Sequence, residues 1–156
     1  MIPEKVKAVL DAAGLRALEF EPDSTATSVA AAGKLGCAVG QIAKTLLFVG
    51  KDGSRFMVVA PGDRRISQAK LKAATGVKFR MTRPEETRES TGFEPGGVCP
   101  FGVDPSIRVF VDAGLRGYPV IYPAAGTTSS GVPMTFDQLV SLTGGTVGDF
   151  REDGME

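Results

Sequence analysis

Two hydrophobic periods alternate along the chain. Val6, Val9, Leu10 and Ala13 recur at helical spacing, which predicts a helix over 2–13 with Gly14 as its C′ residue. Residues 15–20 alternate, with Leu18 and Phe20 on one side, and predict a strand. Pro22-Asp23-Ser24-Thr25 breaks the pattern, and an Ala-rich helix over 28–35 follows, with Thr25 or Thr27 as its N-cap and Gly36 as its end. The apolar run 42–49 is the strongest strand signal; Lys51-Asp52-Gly53-Ser54 turns it back into 56–60 as a hairpin. A helix over 67–74 capped by Ser67, a strand over 77–81 and a helix from Thr82-Arg83-Pro84-Glu85 to about Thr91 come next. Strands at 107–111 and 120–124, a small-residue loop over 125–131, a helix over 136–142 capped by Thr135 and a short strand at 146–147 complete the chain. Strands and short helices intermix without a regular βαβ period, so the pattern predicts a mixed α/β (α+β) domain.

Residues 92–102, Gly92-Phe93-Glu94-Pro95-Gly96-Gly97-Val98-Cys99-Pro100-Phe101-Gly102, follow neither period. Glycine lets backbone approach a ligand closely, and proline fixes the shape of the loop. Bare amides on such a loop suit an anion or an oxyanion. Lys44 is the second anomaly, a cation inside the apolar run 42–49. It is read either as a strand-end lysine whose ammonium reaches water or as a fixed cation at a pocket mouth.

Composition narrows the chemistry. At 156 residues, with 42% hydrophobic and 23% charged residues, one domain over 1–156 is expected. There is no histidine, which excludes Ser-His and Cys-His catalysis and every histidine-containing zinc site. Neither GxGxxG nor a Walker A motif is present. Cys37 and Cys99 form no CxxC, and with no apolar leader at the N-terminus they are expected as reduced thiols in a cytoplasmic protein. Cys99 as a nucleophile is disfavoured, because no base accompanies it. No apolar run approaches the roughly 18 residues of a membrane span. The formal net charge is +0, yet Arg64, Arg65, Lys70, Lys72, Lys78, Arg80 and Arg83 form a stretch without an acid, while Asp149, Glu152, Asp153 and Glu156 gather at the end. A stretch this one-sided suits a polyanion, with Arg64, Arg65 and Lys70 as candidate RNA contacts.

The motifs together resemble the YbaK/prolyl-tRNA editing domain family. The resemblance rests on Ser24-Thr25, Gln41-Ile42-Ala43-Lys44-Thr45-Leu46, Pro61-Gly62-Asp63 with Lys70-Leu71, and Ser90-Thr91-Gly92 leading into the Gly96-Gly97-Val98-Cys99-Pro100-Phe101-Gly102 loop. Val111-Asp112, Ala125-Gly126 and Phe136-Asp137-Gln138-Leu139 with Leu142-Thr143-Gly144 extend it over nearly the whole chain. It implies a single compact domain with a curved, mostly antiparallel sheet flanked by helices. It also implies hydrolysis of the ester joining a wrong amino acid to a tRNA, usually tRNA-Pro, by a freestanding enzyme. No cofactor and no metal are implied. The partner implied is mischarged tRNA, with prolyl-tRNA synthetase or an elongation factor as protein partners; neither DNA nor a membrane enters.

The resemblance makes Lys44 the functional lysine and Gly96 a donor of a backbone amide to the scissile carbonyl, and Gly97 is grouped with it. Phe20, Thr25, Thr45, Val98, Pro100, Phe101, Ala124, Gly126 and Thr127 are expected around the substrate. Phe20, Ala124 and Gly131 replace more polar residues of the cysteine-clearing members, which points to a small, weakly polar side chain such as alanine or 2-aminobutyrate. Cysteine stays open, and so do serine and threonine, through Thr127 and Thr128. The alternatives are a tRNA-binding module without catalysis and a small amino-acid binding protein.

Overall fold

A computed structural model describes residues 1–153; of the acidic C-terminal group, Glu156 lies outside the described residues. The described residues form an α+β unit with one principal sheet and five α-helices. The helices are α1 (Glu4–Ala12), α2 (Ser28–Leu35), α3 (Gln68–Thr75), α4 (Pro84–Thr91) and α5 (Phe136–Thr143). The strands are β1 (Leu18–Glu19), β2 (Ile42–Gly50), β3 (Arg55–Pro61), β4 (Phe79–Met81), β5 (Arg108–Asp112), β6 (Tyr122–Pro123), β7 (Ser130–Gly131) and β8 (Thr146–Gly148).

Local chemistry sets the element ends. Thr27, Ser67 and Thr135 each accept a hydrogen bond from the amide three residues on, so each caps the helix that follows. Gln138 returns the bond to the Thr135 amide, completing a capping box. At α4 the cap differs from expectation. Pro84 opens the helix and Glu86 bonds the Arg83 amide, while Thr82 turns its hydroxyl to Thr87 and to the Leu47 carbonyl.

The sheet runs in the order β4-β2-β3-β5-β8, with β6 beside the start of β2. It is mixed, which corrects the mostly antiparallel expectation: β2 pairs antiparallel with β3 and β4, whereas β6 on β2, β5 on β3 and β8 on β5 are parallel. β5 returns beside β3 only after α3, β4, α4 and the glycine loop, a crossover long enough to make the pair parallel. Side chains on β3 and β5 alternate between two cores. Met57, Val59, Val109 and Val111 pack with α1 and α5; Phe56, Val58, Ala60 and Phe110 pack with Leu71 of α3 and with Phe150. Both faces are therefore apolar, as a central strand requires.

Two predicted strands shrink. β1 keeps two residues and pairs only with β7, outside the main sheet, so Leu18 is 41% exposed. β6 keeps Tyr122 and Pro123, because its ladder touches β2 at Ile42 and Ala43 alone. Cys37 and Cys99 are both free thiols.

The C-terminal segment is tied across the sheet end. Asp112, fully buried at the end of β5, accepts from the amides of Gly114 (2.8 Å) and Phe150 (2.7 Å) and pairs with Arg151 at 2.7 Å. Residues 150–152 then bond back to Arg65 and Ser67 through the Glu152 amide and the Phe150 carbonyl.

Candidate active site

β2 begins beneath α2 and faces the glycine loop, and a cleft of about 290 Å³ lies among them. Its walls include Lys44, Thr45, Gly96, Val98, Thr25 and Ala124. Six expected residues therefore meet at one place. A larger groove of about 580 Å³ runs between α1 and β1, but it contains neither Lys44 nor the glycine loop.

Lys44 is half-buried, and its ammonium donates to the Arg64 carbonyl. Burial lowers its pKa below the ordinary 10.5, Asp63 opposes that shift, and the Arg65 cation reinforces it. The lysine is thus held by a main-chain oxygen rather than neutralised by a close carboxylate, which leaves its charge available to an anionic ligand.

Glu94, Pro95, Gly96 and Gly97 form a tight turn closed by the Gly97 amide on the Glu94 carbonyl at 2.9 Å. Gly96 has φ +89°, a value that glycine alone adopts freely, and a Cβ there would stand 2.9 Å from the Ala26 carbonyl oxygen. Gly97 does not line the cleft. It packs on Thr127, where a Cβ would lie 2.6 Å from the carbonyl carbon. With its amide already bonded, Gly97 holds the loop in place and Gly96 is the glycine that faces the ligand space. Replacing Gly96 by alanine is expected to lower turnover by about 100-fold, the effect of a displacement near 1 Å at a reacting centre. Kinetics beside a thermal melt check it: a variant with parent kcat/KM would remove Gly96 from the site.

The Thr25 hydroxyl is committed to Ser130, accepting from its amide at 2.9 Å, so Thr25 builds the wall between α2 and β7. Thr27 caps α2, which turns the positive end of that helix toward the cleft. Thr45 differs: it is 8% exposed, and its hydroxyl has no hydrogen-bond partner among the described residues. No Asp or Glu stands in the lining.

The other expected residues lie elsewhere. Pro100 and Phe101 are buried, Phe101 in the main core with α1. Gly126 lies against the Phe93 ring, and Thr127 bonds the Ser130 hydroxyl at 2.8 Å. Phe20 stands outside the cleft, its amide on the Ser129 carbonyl. Lys70 is held by Asp149 (3.0 Å) and Asp153 (2.8 Å), which raise its pKa and take it out of the set of free cations. Arg64 bonds the Glu152 carbonyl, and Arg65 is exposed. The Cys99 thiol is buried and pushed up to about 12, which leaves it no nucleophilic character. Tyr122, Ser130, Ala26 and Leu35 line the cleft without having been expected there.

Comparison with known proteins gives a consistent set. The family model described as aminoacyl-tRNA editing domain matches residues 22–142. The uncharacterised YwhH of Bacillus subtilis is 39% identical over 78% of this chain and 76% of its own. A candidate Cys-tRNA(Pro)/Cys-tRNA(Cys) deacylase, EbsC of Enterococcus faecalis, is 29% identical over 71% of this chain and 68% of its own. A crystal structure of a candidate trans-editing enzyme for prolyl tRNA synthetase superposes with a TM-score of 0.87 at 35% identity, over 97% of this chain and 99% of that one.

Proposed function

This chain belongs to the aminoacyl-tRNA editing domain family, and on that premise we propose that it is a trans-acting deacylase hydrolysing the ester of mischarged tRNA. Its substrate is tRNA-Pro carrying a small residue, alanine or 2-aminobutyrate first, with cysteine, serine and threonine as further members of the class. The observation that supports this most is the meeting of Lys44 and Gly96 across a cleft of about 290 Å³ that holds no carboxylate.

An aminoacyl ester is already activated, so a positioned water suffices as nucleophile. Its oxygen attacks the ester carbonyl, the carbonyl oxygen takes up negative charge, and the bond to the ribose oxygen breaks. One proton of the water ends on that ribose oxygen and the amino acid leaves as its acid. The Gly96 amide, aided by the positive end of α2, is assigned to stabilise that charge; a single oxyanion donor is typically worth about 2.7–4 kcal/mol. Lys44 holds the phosphate or sugar of the terminal adenosine, a positioning role. With no general base in the lining, the vicinal 2′-hydroxyl of the ribose relays the proton. On the RNA side, Arg65 with Arg64 remains the candidate contact, and Lys70 is withdrawn because two carboxylates already hold it. Prolyl-tRNA synthetase or an elongation factor delivers the substrate, and the reaction belongs to the cytoplasm.

The test is deacylation of tRNA-Pro charged in turn with alanine, 2-aminobutyrate, cysteine, serine, threonine and proline. Rapid loss of one small residue, with prolyl-tRNA spared, is the expected result. A flat panel would overturn the enzyme reading in favour of a tRNA-binding module, whose RNA binding would weaken with salt.

A further inference from the structure

The unpartnered Thr45 stands at a break in the sheet. β3 follows β2 from Ala43 to Val49. On its other side β2 meets β6 at Ile42 and Ala43, then β4 from Phe48 onward. Between them, among the described residues, only Leu47 is held, its carbonyl accepting from the Thr82 amide at 3.1 Å and from the Thr82 hydroxyl. Backbone groups alternate sides along a strand. Even-numbered residues turn toward β3, since the Ile42 carbonyl accepts from Gly62 (2.8 Å) and the Gly50 amide donates to Ser54 (2.7 Å). Odd-numbered residues turn the other way, as Leu47 shows, and as Lys51 shows with its amide on the Lys78 carbonyl at 2.8 Å. The N–H and C=O of Thr45 therefore point into the gap between β6 and β4.

That gap is where two clefts meet. The 290 Å³ cleft and a second of about 270 Å³, on the Met81–Thr82 side, share Thr45, Leu46, Gly96 and Val98. Buried backbone groups are paired almost without exception, and here a carbonyl, an amide and a buried hydroxyl of one residue face ligand space together. The lining offers no carboxylate to a cationic group, so main-chain and hydroxyl oxygens are its acceptors.

We propose that the open strand edge at Thr45 reads the α-ammonium of the substrate, the Thr45 carbonyl and hydroxyl accepting from it while the Thr45 amide bonds an oxygen of the acyl or ribose group. This deepens the deacylase reading and rests on it. The site then takes esters of free α-amino acids and rejects those whose amine is acylated or replaced by hydroxyl. A site built around a substrate N–H discriminates strongly against an analogue that lacks it.

Two measurements on the unmodified protein test this. The first compares hydrolysis of alanyl, N-acetylalanyl and lactyl esters on the same tRNA; both analogues are expected to fall by about 100-fold or more in kcat/KM. The second titrates isotopically labelled protein with 3′-(alanylamino)-3′-deoxyadenosine and with its lactyl counterpart. The Thr45 and Leu46 amide resonances are expected to shift with the first and much less with the second. Equal hydrolysis of alanyl and lactyl esters, or an alanyl analogue that binds without moving these resonances, overturns the inference and leaves the deacylase reading intact. Amine-dependent shifts at Thr45 without hydrolysis of any ester support the inference and overturn the deacylase reading.

Discussion

Lys44→Ala is expected to lower kcat/KM for the cleared aminoacyl-tRNA by about 10²–10³-fold, the effect of removing a fixed charge or donor from a reacting centre, while the protein stays folded. The side chain is only half-buried, and among the described residues its ammonium loses one hydrogen bond, to the Arg64 carbonyl, beside a longer-range attraction to Asp63. Lys44→Arg is expected to recover little, since a broad guanidinium does not fit the position of a point ammonium. In the proposed role Lys44 acts in its charged form, and burial lowers its pKa, so the charge is lost earlier as pH rises than for an exposed lysine. Activity should accordingly decline on the alkaline side with an apparent pKa below 10.5, provided that spontaneous ester hydrolysis is subtracted. A folded Lys44→Ala protein that deacylates at the parent rate would remove this lysine from the mechanism.

Asp112→Ala is expected to be the most destabilising single change outside the apolar cores. Its carboxylate is fully buried and meets Arg151 and two amides at once. Removing one member of a buried pair costs about 3–5 kcal/mol; Arg151 keeps some solvent contact, which places the change near the lower end. At that size the melting temperature falls by roughly 6–12 °C. Asp112→Asn keeps the shape and part of the bonding, and should lose less. Thermal melts of the two variants check it, and an unchanged Tm for the alanine variant would mean that this carboxylate does not hold the C-terminal segment. The segment also bonds Arg64 and Arg65, whose loop supplies the acceptor for Lys44. The variant should therefore lose activity at temperatures where it remains folded.

What could be read from the sequence was local. Lys44 is visible as the one cation in an apolar run, and the glycine loop as the longest segment that fits neither period. Caps at Thr27, Ser67 and Thr135 follow from residue type alone. What could not be read depends on chain segments that meet only in the fold. Lys70 belongs to a run without acids, yet Asp149 and Asp153 lie about 80 positions away and take its charge. Tyr122 and Ser130 reach the cleft because β6 docks on β2 and β7 on β1, neither of which leaves a strong strand pattern. Gly126 and Phe101 carry motif positions but serve packing, against Phe93 and α1. The parallel pairing of β5 on β3 is set by a crossover, which hydrophobic alternation does not encode.

The clasp between Thr25 and Ser130 joins residues 105 positions apart, and it forms one wall of the cleft. Closing a loop of that length comes late, after hairpins and helices have formed. During synthesis, then, the β2–β3 hairpin and its lysine can assemble before residues 125–131 have been made, but the cleft has no far wall until Ser130 has left the ribosome. A chain that stops short of Ser130 thus carries Lys44 without the enclosed cleft in which the proposed deacylation takes place.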